Sequence, residues 1–154
     1  MTQTERRQYL IKRLLAENPE YKAVPIPETE AEQKQLFRSL CNVRPPEPID
    51  AEFLAVQDAY LKQDAAERGI TDYKSLTPVQ KDLYLWKGDI TLLNCGAIVN
   101  AANSALLGCF APCHRCIDNA IHPAAGLQLR AACAALMEEQ GHPEETGTAQ
   151  ITEG

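Results

Sequence analysis

No long apolar run interrupts the 154 residues, and the amino-terminal MTQTERRQYLIKRLL interleaves its apolar residues with charges. Neither a membrane span nor the apolar segment of a signal peptide is expected, which points to a cytoplasmic protein. A surplus of positive charge is also missing: 15 Lys and Arg stand against 21 Asp and Glu, a formal charge of -6. Such a chain offers no basic field to a polyphosphate backbone, so nucleic acid is excluded as a natural partner. A single nucleotide-like ligand is not excluded, because backbone amides can hold one or two phosphates without net positive charge. Fixed-period repeats and low-complexity tracts are absent too. What remains is an ordinary globular composition, 45% hydrophobic and 23% charged. In a reducing compartment the six cysteines read as core residues, metal ligands or reactive groups rather than as a disulfide framework.

The first 80 residues carry helical signals. Tyr9, Leu10, Leu14 and Leu15 recur at helical spacing behind Thr2 or Thr4 as N-cap. Thr29 and Glu32 form a capping-box pattern ahead of Leu36, Phe37, Leu40 and Cys41, and that helix must stop before Pro45 and Pro46. Asp50 caps a third helix whose Phe53, Gln57, Tyr60 and Leu61 share a face, with Gly69 as its stop. Residues 1–80 are therefore expected to form a helical extension.

From residue 81 the pattern changes. Leu83 to Trp86 and Ala97 to Val99 read as short strands apolar on both faces, which suits a sheet covered on both sides. Pro123 is expected in the first turn of a helix carrying Leu127, Leu129, Ala132, Leu136 and Met137 and ending at Gly141; Thr148 to Thr152 is expected to start another strand. Alternating strands and helices indicate an α/β layer fold.

The chemistry concentrates in WKGDITLLNCGAIVNAANSALLGCFAPCHRCIDNAIH, residues 86–122. Asp89 follows a glycine that permits a sharp turn; Asn100 and Asn103 follow an apolar run, the place where open α/β sheets bind ligands. Each also has a plainer reading, a turn-capping carboxylate or two loop-bonding amides. Three cysteines within eight residues, with a histidine among them, exceed what core packing needs. Cys113 leaves two alternatives open: a fourth ligand closing a Cys3His structural site, or a C-x-x-C redox pair with Cys116. Phe110 either covers a ligand or anchors the loop. His122 is expected to pack at a helix start and His142 to be exposed, while Cys41, Cys95 and Cys133 read as small hydrophobes.

GDIT, then AIVNAANS, then AIH near a helix start resembles the macrodomain family, over residues 83–154. The resemblance implies a three-layer α/β/α sheet, of which residues 81–154 form the first part. It implies that Asp89 accepts a hydrogen bond from the adenine amino group of ADP-ribose, with Ile90 as a backbone contact and Asn100 in the same pocket. It implies further that Asn103 faces the ribose beside the scissile bond. Where most of the family has a glycine-rich loop, this chain resembles the zinc-dependent branch, in which Cys109, His114 and Cys116 hold one zinc ion. Three protein ligands leave a fourth position open for water or substrate, as a catalytic zinc requires. Asp118 is then the nearest carboxylate for acid/base work, and Asn103 and Asn119 join it in the catalytic set.

The activity implied is hydrolysis of ADP-ribose from mono-ADP-ribosylated protein side chains. The alternatives are a reader that binds ADP-ribose without cleaving it, or a helical extension that docks a partner protein. The resemblance also implies a lipoylated carrier protein and a sirtuin-type ADP-ribosyltransferase as partners. A complete domain of this kind needs further strands and a second glycine-containing loop, so an unpaired apolar sheet edge is expected here.

Overall fold

In a computed structural model, which describes residues 1–153, three long helices form the hydrophobic centre. Helix α1 spans Gln3–Glu17, α2 Glu30–Val43 and α3 Ala51–Arg68. Thr2 caps α1 in a full capping box with Glu5; Thr29 and Asp50 accept the backbone N–H three residues on to cap α2 and α3. Those side chains satisfy amides that have no partner inside the helix, which is why each helix starts where its hydroxyl or carboxylate stands. Gly69, at φ 92°, stops α3 in a backbone region that a side chain disfavours.

The apolar stripes meet as expected. Leu10, Ile11, Leu14, Leu15, Phe37, Leu40, Cys41, Phe53 and Tyr60 form the buried cluster, and Phe37 meets Tyr60 edge to face with ring centroids 5.3 Å apart. Each large apolar side chain so buried contributes about 1.5–3 kcal/mol relative to exposure. Cys41 is enclosed so fully that burial pushes its thiol up to about 12. Cys133 is buried likewise, whereas Cys95 is only half-buried, its thiol bonded to the Ala97 carbonyl.

The second part of the chain is mixed α/β. Strand β1 (Thr71–Asp72) pairs in parallel with β4 (Leu93–Asn94), and β2 (Pro78–Gln80) pairs antiparallel with β3 (Leu83–Tyr84). Helices α4 (Ile117–Ala125) and α5 (Leu127–Gln140) follow. Four sequence expectations are corrected. Ala97–Val99 and Thr148–Thr152 form no strand, and β3 ends at Tyr84 rather than Trp86. Leu85, Val99 and Ile151 are 81%, 91% and 93% exposed instead of covered. A strand is defined by its ladder, and among the described residues no strand pairs with these runs. Pro123, finally, lies inside α4 and not at the start of the next helix, which begins after Gly126.

The two parts are joined by buried polar groups. Gln57 of α3 is fully buried; its Oε1 accepts from the Leu127 N–H at 3.0 Å and its Nε2 donates to Gln128 at 2.7 Å. It thereby caps α5, whose own N-cap, Gly126, has no side chain to do so. Gln57→Leu, similar in size but without the acceptor, orphans a buried amide. We expect a loss of about 1–3 kcal/mol in unfolding free energy, read by urea denaturation.

Candidate metal and ligand site

The segment from Leu106 to Cys116 is a loop without regular structure, entered through Gly108 at φ 81°. A Cβ at Gly108 would stand 2.9 Å from the His122 ring, so only glycine lets the loop pass this close to α4. The loop ends at Cys116, whose sulfur accepts from the Asn119 N–H at 3.4 Å and caps α4.

Within this loop the sulfur of Cys109, a ring nitrogen of His114 and the sulfur of Cys116 lie within 4.8 Å of one another, a group that could hold a metal ion. The Cys109 sulfur is 3.7 Å from His114 Nδ1. Cys113 turns elsewhere: its sulfur is 3.1 Å from the Ser39 hydroxyl and bonds the Gln35 carbonyl, both on α2. The structure thus separates Cys113 from the three candidate ligands, and all six cysteines are free thiols. The Arg130 guanidinium lies 4.4 Å from the Phe110 ring centroid, while the ring itself stays 42% exposed.

A second cluster stands on α4, with Asp118 in its first turn and His122 in its last turn rather than at a helix start. Asp118, 4% exposed, accepts through Oδ1 from Asn100 Nδ2 at 2.8 Å and faces His122 Nε2 at 3.3 Å. Burial by itself would raise the Asp118 carboxyl. The hydrogen bonds from His122 and Asn100, with the charge of Arg130, outweigh it and hold the group below the ordinary carboxylate value. Asn100 Oδ1 and His122 Nδ1 are buried without a protein partner. Buried polar atoms are nearly always satisfied, so these two mark a place for water or ligand.

Asn103 is exposed; its amide donates to the Gly108 carbonyl at 3.2 Å and its oxygen accepts from the Ala105 N–H at 3.0 Å. Asn119 is fully buried, donating to the carbonyls of Cys109 at 3.2 Å and Ala111 at 2.8 Å and accepting from Arg38. Its side chain is therefore committed to protein groups.

Asp89 and Ile90 lie between α3 and α4. Asp89 begins a 3-10 turn at Ile90, its Oδ1 accepting from the Thr91 N–H and hydroxyl, while its Oδ2 pairs with Arg68 of α3. Burial, which would raise it, is outweighed by the Thr91 bonds and the Arg68 charge, and its carboxyl is held low. A carboxylate has about four acceptor positions; Thr91 and Arg68 use three. Asp89 borders a cavity of about 260 Å³ shared with Phe37 and Arg38 of α2, Tyr60 of α3 and Ala120 of α4. The cavity links the Asp89 corner to the helix that carries Asp118.

Sequence reasoning missed the partners of these groups. Arg130, 3% exposed, donates to the carbonyls of Leu107, Cys41 and Arg44, tying the loop entry to the end of α2. No local signal distinguishes it from a solvated arginine on α5. For His122, the spacing of four from Asp118 was a usable signal of pairing on one helix face.

Residues 99–154 match the Macro domain family model. The chain is 57% identical over 156 residues to a protein-ADP-ribose hydrolase of Treponema medium, covering 99% of this chain and 60% of that protein. It is 45% identical over 150 residues to a protein-ADP-ribose hydrolase of Staphylococcus aureus strain MRSA252, covering 97% and 56% respectively. A probable bifunctional ADP-ribose hydrolase/ADP-ribosyltransferase of Fusarium oxysporum f. sp. cubense is 42% identical over 130 residues, 77% of this chain and 22% of that protein. The chain thus spans a little over half the length of the first two relatives.

Proposed function

We infer, from the premise that residues 99–154 make this chain a member of the macro domain family, that the whole protein is a zinc-dependent hydrolase removing ADP-ribose from mono-ADP-ribosylated protein side chains. Residues 1–80 serve as its helical extension and 81–154 as the first part of the macrodomain. One observation carries the reading: Cys109, His114 and Cys116 converge at the N-terminus of the helix that bears Asp118.

The donor set suits zinc. Two thiolates and an imidazole are ligands zinc accepts, and a sulfur and a nitrogen bound at tetrahedral zinc stand about 3.5 Å apart, near the 3.7 Å between Cys109 and His114. Cys109, His114 and Cys116 would hold the ion, which when bound would supply Lewis acidity toward a ribose hydroxyl or a water. A pure reader of ADP-ribose needs no such trio, which is why the hydrolase reading is preferred.

The chain's own residues take the remaining tasks. Asp118, held ionised by Asn100 and His122, accepts a proton from water or orients it. Asn103 faces the ribose next to the scissile bond. Asp89 receives the adenine amino group at its remaining acceptor position, with the Ile90 backbone beside it, and Asn100 joins the pocket wall. Asn119 serves by holding the loop rather than by touching substrate. A lipoylated carrier protein and a sirtuin-type ADP-ribosyltransferase are the partners the resemblance implies. The cytoplasm, whose thiol pool keeps cysteines reduced, suits the metal trio.

The test uses the full-length protein and a mono-ADP-ribosylated protein. Free ADP-ribose and loss of the label are expected; a retained label with tight ADP-ribose binding selects the reader instead. Asp89→Ala should weaken ADP-ribose binding roughly 10- to 100-fold in calorimetry, as loss of a hydrogen bond to a charged group predicts.

A further inference from the structure

We propose that α2 of the helical extension sets the geometry of the metal loop, with Arg38 and Asn42 as positioning residues for Cys109, His114 and Cys116. The proposal rests on the metal reading above and concerns residues outside the segment that matches the family.

An irregular loop that brings three donors together must give up conformational freedom to do so, and something rigid has to hold it. Helix α2 is rigid because Phe37, Leu40 and Cys41 are locked in the core. From its other side it reaches the loop at several points. Arg38 donates to the His114 carbonyl at 3.1 Å and to Asn119 Oδ1 at 2.9 Å. Asn42, fully buried, accepts from the Cys113 N–H at 3.1 Å and donates to the Asn119 carbonyl at 3.1 Å.

That last carbonyl is free for a reason. In a regular helix it would accept from residue 123, but residue 123 is proline and has no N–H. Asn42 supplies the missing donor. Cys113 adopts φ 50°, a left-handed conformation uncommon for a residue with a side chain; its N–H is held by Asn42 and its thiol meets Ser39. The turn at Cys113 is thus imposed by α2.

Through Asn119 the same contacts reach all three ligands. Asn119 bonds the Cys109 carbonyl by its side chain and the Cys116 sulfur by its backbone N–H, while Arg38 holds His114 directly. Groups that orient ligands without touching the metal typically change metal affinity 10- to 100-fold when removed.

The experiment titrates the full-length protein with Zn²⁺ against a chromophoric chelator and records Co²⁺ absorption spectra, with thermal melting of the metal-free form alongside. Arg38→Gln is expected to raise the Zn²⁺ dissociation constant about 10- to 100-fold and to perturb the Co²⁺ thiolate bands. Arg38→Lys should recover part of the affinity, because an ammonium can still reach one of the two oxygens. Asn42→Ala should act in the same direction as Arg38→Gln. Gln33→Ala is the control: Gln33 is buried on the same helix but bonds Arg7 and Pro27, so the variant should melt lower and bind metal normally. Should Asn42→Ala fail to fold, half-buried Arg38 decides the matter. A folded Arg38→Gln protein with unchanged affinity and spectrum, or one no weaker than the Gln33→Ala protein, overturns the proposal. If the unsubstituted protein binds no metal, the metal reading falls and this inference with it; if it binds and the Arg38 variants bind equally well, only the inference falls.

Discussion

Cys116→Ala is expected to remove both metal and hydrolase activity, taking the zinc content from about one ion per protein to none. Three protein donors are the least that hold a catalytic zinc, and losing a thiolate leaves one sulfur and one imidazole. The same sulfur also caps α4 through the Asn119 N–H, so the alanine variant should lose an additional ~0.5–2 kcal/mol of stability. The two effects separate in Cys116→Ser. A hydroxyl is a good N-cap acceptor but a poor substitute for a thiolate toward zinc, so stability should return while metal does not. Elemental analysis and melting curves on the two variants read the difference. Retention of zinc by both would remove Cys116 from the ligand set.

Asp118→Asn is expected to lower turnover about 100- to 10,000-fold, the usual range for a lost general acid or base. The amide keeps the size of the side chain and an oxygen that can still accept from Asn100 and His122, so folding, metal content and ADP-ribose affinity should hold. What disappears is the negative charge and with it the capacity to take a proton. Single-turnover kinetics beside calorimetry distinguish this from a binding defect. A variant with normal turnover would show that the proton goes elsewhere, and the buried His122 nitrogen without a partner would become the next group to test.

The parts of the molecule visible in the sequence are those whose causes are local. The three first helices could be placed because Thr2, Thr29 and Asp50 each cap an amide three residues away, and Gly69 ends α3 by its own backbone freedom. Cys109, His114 and Cys116 are grouped by the family resemblance of their loop, and the fold brings their donor atoms within 4.8 Å of one another. The strands were less visible. Ala97–Val99 and Thr148–Thr152 have the composition of strands, but strand formation depends on a neighbour that a run of residues cannot specify by itself. Pro123 was placed in a first turn on its usual preference, whereas α4 tolerates it inside because Asn42 supplies the donor that proline lacks.

Capping acts within a few residues along the chain, and so the amino-acid order alone determined where the first three helices start; it also offered Cys109, His114, Cys116 and Asp118 as candidates for the site. Arg38, Asn42, Gln57 and Arg130 act on groups about 70 to 90 residues away, and their polarity looks like that of any surface residue until the helices pack. Only the tertiary structure decided that Asn42 and Arg130 are buried, which carbonyls and amides all four satisfy, and that Cys113 faces α2 instead of Cys109, His114 and Cys116. The reason is energetic: a buried polar atom must find a partner, and which partner it finds depends on packing in three dimensions.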